Sequence, residues 1–89
     1  MDSKSRGRVV VFGADWCSHT QHVIEHLDEL LVPYDYIDVE EDPEASAWVK
    51  QVNGGPERKP TIVINDEIVA EPSDAVLDEM LTRAGIAPE

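Results

Sequence analysis

Val9-Val10-Val11-Phe12 is an unbroken apolar run, β-branched at three of its positions and closed by Gly13. A strand with one wet face alternates polar and apolar residues, so an unbroken run predicts a strand covered on both faces. Such a strand needs a sheet with layers above and below it, and the rest of the chain offers them. Val23, Ile24, Leu27, Leu30 and Leu31 keep the spacing of one helical stripe, with Pro33 as its expected stop. Tyr34 to Val39 reads as a strand. Asp42 before Pro43 is an N-cap with proline in the first helical position, and Ala45, Trp48, Val49 and Val52 repeat at helical spacing until Asn53-Gly54-Gly55. Pro60 leads into the strand Thr61-Ile62-Val63-Ile64, Asn65-Asp66 reads as a hairpin turn, and Ile68-Val69 as a short strand. Ser73 caps a last helix with Val76, Leu77, Met80, Leu81 and Ala84 on one stripe and Gly85 beyond it.

The order is β-α-β-α-β-β-α, an α/β class. Strand, helix, strand implies parallel pairing through right-handed crossovers, and the hairpin adds an antiparallel edge. The two most apolar strands are expected at the centre, with helices on both faces. Residues 1–7 read as a flexible leader and 85–89 as a matching tail. No repeat or linker divides the 89 residues, so one domain over 1–89 is expected.

A single cysteine excludes an internal disulfide, so a core of modest size must hold the fold, as in a reducing compartment. With 19 carboxylates against 7 lysines and arginines the formal charge is −12, which argues against nucleic acid or an anionic membrane as partner. No apolar run approaches the roughly 20 residues of a membrane span. The polar start, Met1 to Arg8, lacks the apolar stretch of a signal peptide, and the expected setting is cytoplasmic.

Cys17 follows the first strand and opens the first helix. Unpaired N–H groups and the positive end of the helix dipole stabilise a thiolate at that place. A free thiol of pKa about 8.5 is only slightly ionised at neutral pH, whereas one at a helix N-terminus can be a working nucleophile. The alternative is a small buried hydrophobe. Its neighbours Asp15, Trp16, Ser18, His19 and Thr20 are not core residues and point to an exposed turn.

Trp16-Cys17-Ser18-His19-Thr20, Lys59-Pro60-Thr61 and Glu71-Pro72-Ser73-Asp74, set on this topology, resemble a glutaredoxin of the thioredoxin fold, closest to its short bacterial, mycoredoxin-like branch. The stretch from Asp38 to Gly55 is similar to that branch as well, and the likeness spans residues 8–84. It implies a three-layer domain with a four-stranded mixed sheet and a thiol-disulfide oxidoreductase with Cys17 as nucleophile. Dithiol members carry Cys-x-x-Cys; threonine stands at the second position here, which implies a monothiol route on mixed disulfides between proteins and a small thiol. Thr20, one helical turn from Cys17, either donates a hydrogen bond to the sulfur or packs at the edge of the stripe. The resemblance makes the bond before Pro60 cis, facing the thiol, and turns the Lys59 backbone toward an extended ligand. Arg58 and Lys59 either pair with a ligand carboxylate or are solvated loop charges. Ser73 and Asp74 match positions that hold the far end of glutathione; Ser73 reads first as a plain N-cap, which is compatible with that role. Ala70-Glu71 replaces the usual Gly-Gly and places a carboxylate where an anionic tripeptide would lie, so the co-substrate is glutathione or another low-molecular-weight thiol. No covalently bound cofactor and a monomer are expected. Two further readings come with the family: a dimer carrying an iron–sulfur cluster, whose usual Cys-Gly-Phe-Ser is absent here, and a thioredoxin-fold adaptor without redox activity.

His19, His22 and His26 border the apolar stripe within about 60° of one another. Four convergent ligands are not evident, so no metal site is expected. His19 takes the place of the family's aromatic residue and is expected to shape access to the thiol or, protonated, to lower its pKa. Glu40, Glu41, Asp42 and Glu44 read as a solvated face at a helix N-terminus. Trp48 is assigned to the core, and Trp16 to the border of the site.

Overall fold

The computed structural model describes residues 8–86. Strand β1 (Val9–Gly13) places Val9 and Val11 on one face of the sheet, both essentially buried, and Phe12 on the other, where its ring lies 4.8 Å from that of Trp48. Period two thus splits the run between two cores. Helices α1 (Ser18–Glu29) and α3 (Asp74–Arg83) cover the first face: Val23, Leu27, Leu77, Met80 and Leu81 close over Val9, Val11, Ile62 and Ile64. Helix α2 (Pro43–Val52) covers the second, with Ala45 and Val49 against Val39, Phe12 and Ile37.

The sheet runs β2-β1-β3-β4, with β2 at Asp35–Asp38, β3 at Thr61–Ile64 and β4 at Glu67–Ala70. The two most apolar strands are central, as their composition predicts. The β1-β2 pair is parallel and the β3-β4 hairpin antiparallel, but β3 also runs antiparallel to β1, against the expected parallel crossover. After α2 the chain re-enters the sheet beside the C-terminal end of β1, with Thr61 opposite Phe12 and Ile64 opposite Val9, so β3 has to run backward.

All three helices end in the same turn. The residue after the C-cap takes a left-handed conformation, and it and its successor return N–H bonds to the last helical carbonyls. Gly54 and Gly85 fill that position in α2 and α3; in α1 it is Leu31, at φ 59°, with N–H bonds from Leu31 to Asp28 and from Val32 to Leu27. The helix therefore stops at Glu29, ahead of the expected Pro33, and Leu31 leaves the stripe to stand 87% exposed. Val52 and Val76 likewise sit at the solvent edge of their stripes, and Trp48 is half-buried rather than fully enclosed. Asp42 and Ser73 cap as predicted, accepting from the Ala45 and Val76 N–H groups. Gly85 and Ile86 are not tail: Ile86 packs on the main core and donates to Leu81. The proposed leader, 1–7, and residues 87–89 lie outside the described residues. Among those described, no helix is long and apolar enough to cross a membrane.

Candidate active site

Gly13 ends β1 because nothing larger fits: a Cβ there would lie 2.5 Å from the Thr20 Cγ2 and 2.6 Å from its Oγ1. That close approach lets the chain turn through Ala14-Asp15-Trp16 and start α1 directly over the sheet. Cys17 is the N-cap of α1, in extended backbone conformation, and its side chain is half-buried.

The thiol points at the Lys59 carbonyl, 3.7 Å away. The Lys59-Pro60 bond is cis, and Pro60 is buried at the entry to β3. Burial alone would push the Cys17 thiol up, but the side chain and N–H of Thr20, the N–H of His19 and the Lys59 charge outweigh it, leaving the thiol below its ordinary value. Thr20 is fully buried and its Oγ1 accepts from the Ala14 N–H at 3.5 Å, so the hydroxyl proton is left for the sulfur.

The residues expected around the thiol converge unequally. Trp16, 65% exposed, donates its indole N–H to Glu40 at 2.8 Å and carries the Lys59 ammonium 5.2 Å from its ring centroid. Lys59 does not await a ligand carboxylate: its ammonium is held by Glu57 at 2.8 Å, with both side chains mostly buried. Arg58 reaches Glu71 at 3.4 Å, in the open. Both cations read from sequence as candidate anion holders are thus already engaged. The His19 ring donates to the Pro72 carbonyl at 3.1 Å, and the contribution of His19 to the thiol comes through its backbone N–H. Ser73 spends its hydroxyl oxygen on the cap. Asp74 accepts from His22 at 3.0 Å, and His26 bonds Asp78 at 2.7 Å, a ladder joining α1 to α3. No group of three or more His, Cys, Asp or Glu suited to a metal ion occurs among the described residues.

Two contributors were not legible in advance. Glu57 joins Lys59 to the Ser46 hydroxyl of α2, and these two partners, Lys59 foremost, hold its carboxyl below the usual range. Glu40, read as part of a solvated acidic run, anchors Trp16. The acid beside two cations in Glu57-Arg58-Lys59 is the one hint of the first pairing in the sequence. Nothing in the sequence pointed to the second.

This arrangement, a lone thiol at a helix N-terminus facing a cis-proline loop on a four-stranded mixed sheet, is that of a thioredoxin-like domain. Comparison with known proteins agrees. The Glutaredoxin family model matches residues 9–69. Mycoredoxin 1 of Corynebacterium glutamicum is 40% identical over 58 residues, covering 65% of this chain and 71% of the relative. Among solved structures, the glutaredoxin from Archaeoglobus fulgidus superposes with a TM-score of 0.72 at 20% identity, covering 91% of this chain and 95% of its own. A buckwheat glutaredoxin-glutathione complex gives a TM-score of 0.70 at 22% identity, over 93% of this chain and 84% of the neighbour. The chain belongs to the glutaredoxin family.

Proposed function

We propose that this chain is a monothiol thiol-disulfide oxidoreductase acting on mixed disulfides between proteins and a low-molecular-weight thiol. The observation that carries the reading is the placement of its single cysteine: half-buried at the first helix N-terminus, held below its ordinary pKa by Thr20, His19 and Lys59, and facing the loop before Pro60. In the first step the Cys17 thiolate attacks the small thiol's sulfur, the protein-small thiol S–S bond breaks, and the protein leaves as a thiolate. Cys17 now carries the small thiol. A second small-thiol thiolate attacks that adduct at the small thiol's sulfur, releasing a symmetric small disulfide and the Cys17 thiolate. Overall one free small thiol is consumed, the protein thiol is released, the symmetric small disulfide carries away the oxidation, and no second protein thiol is needed.

The small thiol is assigned to the side of Cys17 that faces the Lys59-Pro60 loop and the N-terminus of α3, with Trp16, His19, Arg58, Ser73 and Asp74 as its candidate contacts. The buckwheat neighbour, a glutathione complex, supports a small-thiol co-substrate in this fold. In this chain a ligand carboxylate must displace Glu57 or Glu71 from its cation, and Glu71 and Asp74 add negative charge at the other end. Those features favour a small thiol less anionic than glutathione. The reading takes the protein as a cytoplasmic monomer. The test is turnover of a peptide-mercaptoethanol mixed disulfide with mercaptoethanol as reductant. Wild type is expected to release peptide thiol catalytically and Cys17→Ser to be inactive; equal rates for the two, or no release by either, would overturn the reading.

A further inference from the structure

A mixed disulfide has two halves, and the small-thiol assignment above accounts for one. On the other side of β1, between α1 and the edge strand β2, lies a cavity of about 360 Å³ lined by Ala14, Asp15, Thr20, Gln21, Ile24, Glu25 and Tyr36. It shares Thr20 with the thiol site, and its lining residues Ala14 and Asp15 lie three and two residues before Cys17. Ile24 and Tyr36, both half-buried, supply its accessible apolar lining over the fully buried Ala14 and Thr20, and the exposed Asp15 and Glu25 add two carboxylates. The Tyr36 hydroxyl donates to Asp15 Oδ1 at 2.8 Å and the Gln21 amide to the Asp15 carbonyl at 2.6 Å, so Asp15 is braced from both sides. No described side chain donates to Asp15 Oδ2 or to the Glu25 carboxylate.

We propose that this cavity receives a lysine or arginine side chain of the protein half of the mixed disulfide. The proposal rests on the functional reading above, which places the small thiol on the β3 side of Cys17 and so directs the protein half toward β2. The chemistry selects the occupant. Lysine and arginine combine an aliphatic stem, which suits Ile24, with a charged head, which suits the Asp15 and Glu25 carboxylates and the Tyr36 ring. An acidic side chain meets two carboxylates on a chain of formal charge −12. A plain apolar side chain suits the apolar lining but leaves the carboxylates unused. The size matches that of small binding clefts, about 300 Å³ and upward.

Two peptide-mercaptoethanol mixed disulfides that differ only in arginine or alanine flanking the cysteine test the proposal. The arginine peptide is expected to react about fivefold faster with wild type at low salt, and the advantage to shrink in about 0.5 M salt. Glu25→Gln should reduce the ratio and Glu25→Lys invert it. A ratio near one in wild type, or a ratio unmoved by Glu25→Lys, overturns the proposal. Reaction of the alanine peptide reports on the oxidoreductase reading separately. If neither peptide reacts, a cysteine-free arginine peptide is titrated into Cys17→Ser: shifts of the Ile24, Glu25 and Tyr36 amide resonances sustain the cavity assignment without any thiol chemistry, and their absence rejects it.

Discussion

Thr20 carries a donor to the sulfur from the position where a dithiol member has its second cysteine. Its hydroxyl oxygen is taken by the Ala14 N–H and its methyl fills the space above Gly13, so both its shape and its proton are used. Thr20→Val keeps the shape and removes the proton. Cys17 alkylation at pH 7 is expected to slow about fivefold, while Thr20→Ser stays within about twofold of wild type. Alkylation rates of the three proteins check this, and an unchanged Thr20→Val would show that the helix N-terminus alone sets the thiol. At this scale the nucleophile was legible and its surroundings less so. Cys17 is announced by a strand, a glycine and the opening of a helical stripe, all local patterns. Glu57 and Glu40 are not, because their pairing with Lys59 and Trp16 depends on how the 53–60 loop and the start of α2 come to lie against α1. For the same reason Arg58 and Lys59 looked available from the sequence and are engaged in the fold.

The elements themselves follow closely from punctuation. Asp42-Pro43 and Ser73 start their helices where they should, and Asn65-Asp66 turns the hairpin between β3 and β4. Two failures have physical causes. The direction of β3 depends on where the chain re-enters the sheet after α2, and a stripe of apolar residues carries no information about that. An apolar stripe that includes Leu31 carries α1 past it on sequence alone, whereas this leucine holds a left-handed turn more usual for glycine. Its side chain is exposed and packs on nothing that would be lost. Leu31→Gly is therefore expected to stabilise the protein by about 0.5–1 kcal/mol, read from urea unfolding midpoints, the relief of the backbone exceeding the extra chain entropy. A destabilised variant would contradict this account of how α1 ends.

At the scale of the whole molecule, one face of the sheet is closed by two helices whose contact is part apolar and part ionic. Val23 and Leu27 meet Leu77 and Leu81 in the core, and outside them His22 and His26 face Asp74 and Asp78. The hydrogen bond to Asp78 raises the His26 pKa, against the opposing effect of burial and with help from the charges of Asp74, Asp78 and Glu29. A folded pKa above the unfolded one gives stability that is full below the unfolded value, about 6.5, and is lost as pH rises through the folded value. His26→Gln should accordingly cost about 1 kcal/mol at pH 5.5, reduced from a buried pair because Asp78 is half exposed, and less at pH 9. Thermal melts of both proteins at the two pH values check the sign, and an equal or larger loss at pH 9 would contradict it. The same α1 carries the thiol at one end and this ladder along its side. The proposed chemistry nonetheless rests on the thiol: one cysteine, its pKa lowered by its place in the fold, is proposed to suffice for exchange. The direct measurement is the rate at which Cys17 takes up mercaptoethanol from a peptide mixed disulfide, followed by intact mass from pH 5 to 10. A single adduct on Cys17, with release of the peptide thiol and a rate that levels off below the free-thiol value of about 8.5, is the predicted result. An inflection at or above that value, or no adduct at all, would contradict it.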